Sequence, residues 1–159
     1  MWGLNLQVIR STRSKKEIIC RYGDHLYKTN VHKCCEINKV IPMREYMQAS
    51  KHCAWISAIR SDQSELRSGF DTLMKDDDGN VRIHPLIEWS LEDVWDYIKN
   101  NGLPFHPLYD QGYTSIGCFP KKCTVKNECL PGERGGRWKG IDKVECGLHL
   151  GNTEKKIIK

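Results

Sequence analysis

Apolar positions in the first half of the chain predict strands and helices in alternation. Residues 4–9 alternate apolar and polar side chains, which is typical of a short strand. Residues 33–50 repeat apolar side chains at steps of three and four, which predicts a helix interrupted by Pro42. The run 54–59 is short, apolar and rich in β-forming residues, so we expect a buried strand followed by a loop at residues 60–64. This order of elements indicates an α/β protein.

The second half predicts one more strand and helix before the periodicity is lost. Residues 76–80 have the composition of an exposed turn, and residues 81–84 follow it as a strand. Ser90 is a good N-cap for an amphipathic helix, and Gly102 follows its last turn. Residues 104–140 lack periodicity but contain glycines, prolines and cysteines, so we expect a long structured loop with a functional role.

The composition is that of a folded globular protein. The chain has 159 residues, of which 39% are hydrophobic and 28% are charged. No apolar run approaches the roughly 20 residues that a membrane-spanning helix needs, and the N-terminus lacks the layout of a signal peptide. We therefore expect a cytoplasmic protein with no membrane partner.

The positive charge is concentrated near the C-terminus. Residues 1–118 contain fifteen basic and fifteen acidic side chains, whereas residues 119–159 contain ten basic and five acidic ones, so the later segment accounts for the whole excess of five. This distribution predicts an anion-binding region. Lys155, Lys156 and Lys159 are interpreted as a solvated tail. The basic residues interleaved with cysteines and glycines are Lys121, Lys122, Arg134, Arg137 and Lys143.

Two groups among the eight cysteines are candidate metal ligands. Cys34 and Cys35 are adjacent, and Cys118 and Cys123 follow about eighty residues later. Four thiolates from two loops suit either a tetrahedral zinc ion or an iron–sulfur cluster. Neighbouring residues of a helix are poorly placed to chelate one small ion, so the adjacent pair favours the cluster. Three other cysteines are interpreted as structural, the last of them also as a substitute ligand: Cys20, Cys53 and Cys129.

Cys146 is a candidate nucleophile. Arg134, Arg137 and Lys143 precede it, and His149 follows three residues later. Positive charge near a thiol lowers its pKa and favours the reactive thiolate. The same arginines suit a phosphate or sulfate group, which guanidinium binds through two parallel hydrogen bonds. The segment therefore combines a nucleophile with cations for an anionic substrate.

Five motifs in a fixed order carry a family resemblance. They are Cys34–Met43 (CCEINKVIPM), Ile59–Ser64 (IRSDQS), Pro104–Cys118 (PFHPLYDQGYTSIGC), Arg134–Trp138 (RGGRW) and Glu145–His149 (ECGLH). From about Leu4 to Leu150 the chain resembles the assimilatory adenylyl-sulfate (APS) and phosphoadenylyl-sulfate (PAPS) reductases of the cluster-bearing type. Each motif by itself is a weak signal, whereas five in order are specific.

The resemblance implies a reaction and a set of site residues. In the family a cysteine thiolate, here Cys146, attacks the sulfur of adenosine 5′-phosphosulfate, AMP leaves, and thioredoxin or glutathione releases sulfite from the S-sulfocysteine. A 4Fe-4S cluster with a structural or electrostatic role is implied as the cofactor. The implied substrate-binding residues are Lys39, Arg60, Arg134, Arg137 and His149. The implied cluster ligands are Cys34, Cys35, Cys118 and Cys123.

The resemblance also implies a fold, the Rossmann-like adenine-nucleotide alpha-hydrolase (PP-loop) fold with a parallel sheet flanked by helices. Residues 1–112 would form a partial nucleotide-binding core, and residues 113–159 the cluster loop and catalytic-cysteine segment of the same domain. The Ser-Gly-Gly-x-Asp-Ser phosphate loop of the family is absent from the sequence, so we expect an N-terminally incomplete or split reductase. A homo-oligomer and an upstream partner chain that supplies this loop are both left open.

Smaller departures from the family pattern concern single positions. Lys121 and Lys122 lengthen the usual Cys-x-x-Cys to Cys-x-x-x-x-Cys, Asn38 stands where arginine is usual, and Ser61 replaces the second arginine of the family pair. Three alternatives stay open: a PAPS reductase, a non-catalytic iron–sulfur or zinc-binding remnant, and a small nucleic-acid binder with a zinc knuckle. The last is disfavoured, because the cysteine spacings fit no common zinc finger, so no nucleic-acid partner is expected.

Overall fold

The computed structural model describes residues 3–76, 78–118, 123–126 and 132–149. Within these ranges the chain divides into two compact units, one made from Met1–Cys53 and Glu145–Lys159 and the other from Ala54–Val144. None of the helices in these ranges is long and apolar enough to cross a membrane. Several residues singled out above lie outside the described ranges: Lys121, Lys122, Cys129, Lys155, Lys156 and Lys159.

The first unit is helical, and polar caps define where its helices begin. The Ser14 hydroxyl accepts a hydrogen bond from the Glu17 N–H (3.2 Å) while the Glu17 carboxylate accepts one from the Ser14 N–H (2.6 Å), which forms a capping box. Asn30 caps a later helix through the N–H of Lys33 (2.9 Å). The elements are α1 (Lys15–Tyr22), α2 (Leu26–Thr29), α3 (Val31–Cys35), a π-helical turn (Glu36–Val40) and α4 (Ile41–Ala49).

The helix predicted for residues 33–50 is present, with its middle wound as the π-helical turn. Pro42 lies near the start of α4, directly after the π-helical turn, so the change in helical winding coincides with the position whose residue has no N–H to donate. Ile37 is fully buried, and Cys35 at the end of α3 is 5% exposed. The strand predicted for residues 4–9 is wrong, because these residues pair with no strand in the described ranges and Leu6 is 82% exposed.

The second unit contains a small mixed sheet of strands β1 (Ala54–Ile56), β2 (Leu73–Lys75) and β3 (Val81–Ile83) in the order β1-β3-β2. β1 and β3 run parallel, and β2 and β3 run antiparallel. The predicted turn at residues 76–80 closes this hairpin, since the Asp76 carboxylate accepts hydrogen bonds from the N–H groups of Asp78 (3.1 Å) and Asn80 (2.9 Å). The described sheet therefore contains one of the parallel pairings expected from the sequence.

The helices of the second unit are α5 (Glu65–Ser68) and α6 (Leu91–Asn100), with 3-10 turns at Ser61–Gln63 and Tyr109–Gln111. The predicted cap of α6 is confirmed, because Ser90 and Asp93 form a capping box at its start. On α6, Trp95 packs edge-on against Phe105 and Tyr109, with ring centroids 5.3 Å and 5.2 Å away. These rings join α6 to the start of the long loop.

Candidate active site

Cys146 is half-buried in a segment that packs against the π-helical turn of its own unit. The next residue, Gly147, has a φ of 87°, a backbone angle that residues other than glycine rarely adopt. A Cβ at this position would lie 3.3 Å from Cγ2 of Val40, the last residue of the π-helical turn. Glycine therefore permits both the backbone conformation and the close approach that place the candidate nucleophile. His149, also half-buried, belongs to the same unit.

The π-helical turn connects two predicted functions, because it begins directly after Cys34 and Cys35 and contains Lys39. Cys34 and Lys39 are half-buried, whereas Cys35 is buried. The Asn38 amide group donates to the Cys34 carbonyl oxygen (2.9 Å) and approaches the Cys34 Sγ at 3.7 Å. Asn38, which replaces the family arginine, is thus a direct neighbour of a predicted cluster ligand.

Arg60, in the second unit, lies at the start of the 3-10 turn that follows β1, and it is 4% exposed. Its Nε donates to Asp62 Oδ1 at 3.0 Å, and its Nη2 donates to Asp62 Oδ2 at 3.3 Å and to Glu133 Oε2 at 2.5 Å. Burial lowers the pKa of Arg60, but the hydrogen bonds to Glu133 and Asp62 outweigh it, so the pKa is raised overall. The predicted anion-binding cation is held by two carboxylates.

Trp138 is the last residue of the RGGRW motif, and basic side chains lie around its ring. It is 2% exposed and has a φ of 48°. The guanidinium carbons of Arg134 and Arg137 lie 5.6 Å and 4.3 Å from the ring centroid, and the Lys143 Nζ lies 5.8 Å from it. Arg134 also donates from Nη2 to the Val144 carbonyl oxygen at 3.0 Å. Three of the basic residues noted in the sequence, Arg134, Arg137 and Lys143, therefore lie around one buried aromatic ring.

Arg137 makes additional contacts with Cys123 and with Ile116, which precedes Cys118 by two residues. Its Nε donates to the Cys123 carbonyl oxygen at 2.8 Å, and its Nη1 donates to the Ile116 carbonyl oxygen at 3.4 Å. A Cβ on Gly117 would overlap the Arg137 guanidinium, so any larger residue there requires this guanidinium to move. Arg137 is thus placed to hold the predicted cluster loop through backbone carbonyl groups.

The predicted cluster ligands have different surroundings. Cys34 and Cys35 belong to the helical unit, whereas Cys118, which is exposed, and Cys123, which is 5% exposed, belong to the sheet-containing unit. Across the described ranges, no group of three or more histidine, cysteine, aspartate or glutamate side chains is arranged to hold a metal ion. The donor atoms suit an iron–sulfur cluster chemically.

Half of the predicted site residues lie in each unit. The helical unit contains Cys34, Cys35, Lys39, Cys146 and His149. The sheet-containing unit contains Arg60, Arg134, Arg137, Cys118 and Cys123. Within this set, Arg137 contacts the Cys123 backbone directly. The sequence analysis missed two carboxylates that bond Arg60, Glu133 and Asp62. Their sequence signal is that each lies near a predicted anion-binding arginine. Glu133 directly precedes Arg134, and Asp62 follows Arg60 by two residues.

Comparison with protein families identifies the chain. The model of the phosphoadenosine phosphosulfate reductase domain matches residues 1–125. The chain belongs to this family. The family resemblance inferred from the five motifs is therefore confirmed, and the mixed sheet belongs to an α/β domain of the PAPS reductase type.

Several members of the PAPS reductase domain family are closely similar in sequence. The adenosine 5′-phosphosulfate reductase of Lysinibacillus sphaericus is 40% identical over 147 residues, which cover 92% of this chain and 61% of the relative. Adenosine 5′-phosphosulfate reductase 1 of Bacillus subtilis is 40% identical over 148 residues, covering 92% and 62%. The enzyme of Geobacillus kaustophilus with the same name is 44% identical over 131 residues, covering 82% and 54%. The chain thus spans about three fifths of the length of these relatives.

A solved structure of the same family is also similar. The PAPS reductase of Candida auris, in a phosphate complex, matches with a TM-score of 0.55 and 26% sequence identity. The match covers 70% of this chain and 53% of that chain. This likeness supports the α/β fold assigned to the family member described here.

Proposed function

We propose that the chain is the catalytic part of an adenosine 5′-phosphosulfate reductase of sulfate assimilation. The observation that carries this proposal is its 40% identity, over 92% of its residues, to enzymes named adenosine 5′-phosphosulfate reductase. The packed Cys146–Gly147 segment, whose cysteine is half-buried, is consistent with a positioned nucleophile.

The reaction begins with the Cys146 thiolate. It attacks the sulfur of the substrate's sulfate group, the bond from that sulfur to the bridging oxygen breaks, and AMP leaves with the electron pair of that bond. The product on the protein is S-sulfocysteine. The cations that would neutralise the substrate and the leaving phosphate are Lys39, Arg60, Arg134, Arg137 and His149.

Thiols of thioredoxin or glutathione complete the cycle. The first thiolate attacks the Cys146 sulfur, the bond between the two sulfurs breaks, and sulfite leaves with its electron pair. A second thiol then reduces the mixed disulfide and restores the Cys146 thiol. Two thiols are oxidised to one disulfide while the sulfate sulfur is reduced to sulfite, so the electrons balance without a contribution from a metal.

A 4Fe-4S cluster on Cys34, Cys35, Cys118 and Cys123 is part of the same proposal. The thiol chemistry of the four residues supports it, although no group of three or more histidine, cysteine or carboxylate side chains is arranged to hold a metal ion within the described ranges. No step of the mechanism therefore depends on the cluster. Anaerobic purification followed by iron and acid-labile sulfide analysis tests it. Iron and sulfide in near-equal amounts would support the cluster, and a colourless protein with one zinc ion would exclude it.

We further propose that the small sheet is part of a PP-loop-type parallel sheet flanked by helices. Residues 1–112 would belong to its nucleotide-binding core, and residues 113–159 would carry the cluster loop and the catalytic cysteine. A cytoplasmic location follows from the same assignment. The names of the Candida auris relative, a PAPS reductase, and of the family make PAPS the second candidate substrate.

Intact mass spectrometry tests the proposed chemistry. The full chain is incubated with APS, and in parallel with PAPS, and a sulfonate adduct is expected in the wild type but not in Cys146→Ser. Cys20→Ser is the matched control, because Cys20 is exposed on α1 and takes no part in the mechanism. Reduced thioredoxin should discharge the adduct as sulfite. No adduct from either nucleotide, in folded protein, would contradict the proposal.

A further inference from the structure

We propose that Glu133 is a specificity-determining residue that sets the anion affinity of Arg60. Its carboxylate takes the position on the guanidinium that an oxygen of the substrate's anionic group would take, and the substrate must displace it to bind. This inference rests on the proposed function, in which Arg60 meets the substrate. It adds a carboxylate that opposes binding to a site so far described only by its cations.

The hydrogen bonds of Arg60 show which donors are occupied. Nη2 carries two N–H groups, and its acceptors are Asp62 Oδ2 at 3.3 Å and Glu133 Oε2 at 2.5 Å. Nε is used by Asp62 Oδ1 at 3.0 Å. The Nε and Nη2 edge, with which arginine grips a phosphate or sulfate through two parallel bonds, is filled by the two oxygens of Asp62, and Glu133 takes the second N–H of Nη2, which belongs to the other such edge, formed by Nη2 and Nη1. An anion reaches this edge only if an oxygen leaves it.

The net charge of the group formed by Arg60, Asp62 and Glu133 also opposes an incoming anion. One guanidinium with two carboxylates has a net charge of −1, and the side chains of Arg60 and Glu133 are 5% and 14% exposed, so water screens this pair less than it screens Asp62, whose side chain is 40% exposed. The neighbouring phenol responds to the same charge, since burial and then the Glu133 carboxylate raise the pKa of Tyr109 while Arg60 lowers it. The positive charge of Arg60 is thus not available in full to a ligand.

Glu133 is the carboxylate that can be displaced. Asp62 has a second task, because its Oδ2 accepts the N–H of Leu91 at the start of α6 at 3.1 Å. The Glu133 carboxylate is bonded to Arg60 alone within the described ranges, while its backbone carbonyl oxygen accepts a separate hydrogen bond from the Thr114 hydroxyl at 2.6 Å. The side chain can therefore leave Arg60 without releasing the backbone that leads into Arg134.

Isothermal titration of the full chain with AMP and with inorganic sulfate tests the inference. Glu133→Gln retains an acceptor for Arg60 but removes the charge, so each anion should bind about tenfold more tightly than to the wild type. Glu92→Gln, on the exposed side of α6, is the matched control and should bind like the wild type. Equal or weaker binding to folded Glu133→Gln, or no binding of either anion to any of the three proteins, would overturn the inference.

A measurement on the wild type avoids dependence on the fold of one variant. The Nη2–H resonances of Arg60 in ¹⁵N NMR spectra should move when AMP displaces Glu133 from Nη2, and unchanged resonances at saturating AMP would contradict the inference. Circular dichroism checks that the Glu133→Gln variant is folded. If that variant is unfolded, Glu133→Ala takes its place in the titration.

The adduct experiment separates this inference from the proposed function. A wild type that forms the Cys146 adduct while Glu133→Gln shows unchanged affinity would leave the function standing and reject the role of Glu133. Tighter anion binding by Glu133→Gln without any adduct would support the role of Glu133 and reject the proposed function.

Discussion

Arg60 at the end of β1 and Arg137 in the later loop are both predicted to bind the same anion, but their surroundings differ in kind. Arg60 is buried and bonded to two carboxylates. Arg137 is half-buried, and its hydrogen bonds go to the carbonyl oxygens of Cys123 and Ile116 while its guanidinium stacks on Trp138. One region cancels the charge of its arginine, whereas the other holds its arginine with neutral groups.

The position of an arginine and the positive charge that it can offer to a ligand are therefore separate properties. Carboxylate partners place the buried Arg60 in a charge network in which removal of the cation would leave two carboxylates unpaired. Carbonyl and aromatic partners fix the orientation of Arg137 and leave its positive charge uncompensated by them. We therefore expect Arg60 to matter more for stability and Arg137 to offer more of its charge to a ligand.

The largest expected effect is on the stability of arginine variants. Arg60→Met leaves Asp62 and Glu133 as two carboxylates without their cation and should lower the free energy of unfolding by about 3 kcal/mol. Arg137→Met loses two hydrogen bonds to carbonyl groups and should lower it by about 1–2 kcal/mol. Urea unfolding followed by circular dichroism measures both. Equal losses in the two variants would show that the carboxylates add nothing to the role of Arg60.

A smaller effect is expected from Gly117→Ala, since its Cβ would overlap the Arg137 guanidinium. Displacing this side chain should cost about 2 kcal/mol of unfolding free energy, the usual scale for overpacking. Gly69→Ala is the control, because its nearest neighbour lies 3.9 Å from the added Cβ. In the double variant Gly117→Ala with Arg137→Met the two costs should not add, and simple additivity would contradict the contact.

The smallest expected effect is a pH dependence in the region of β1. His84 is fully buried, its Nδ1 lies 2.8 Å from the Ser57 hydroxyl oxygen, and burial lowers its pKa. As the pH falls below the ordinary histidine value of about 6.5, the unfolded chain binds a proton that the folded chain does not. The free energy of unfolding should therefore fall by up to about 1.4 kcal/mol per pH unit until the folded-state pKa is reached.

Urea unfolding of the wild type and of His84→Gln between pH 7.5 and pH 5 measures this dependence. The variant should lose less stability than the wild type over that range, and His25→Gln, at an exposed position, should behave like the wild type. Parallel curves for the wild type and His84→Gln would show that another group controls the acid response. In that case the titration of His84 would not distinguish the β1 region from the later loop.

Local chemistry made several elements predictable. The α6 helix is marked at its start by Ser90 and Asp93, which bond each other's backbone whatever the rest of the chain does. The turn at residues 76–80 is closed by the side chain of Asp76. The strand expected at residues 4–9 failed for the opposite reason, because a strand needs a neighbour and these residues have none in the described ranges.

The sequence by itself determined the family, the order of the motifs and the positions of the candidate thiols and cations, since these are properties of residue types and spacing. Only the tertiary structure decided what surrounds each side chain. Glu133 reaches Arg60 across 73 residues of sequence, and Arg137 reaches the Cys123 carbonyl across 14. No local pattern encodes such contacts, because they depend on how distant segments pack. They determine the charge that each arginine can offer to an anion.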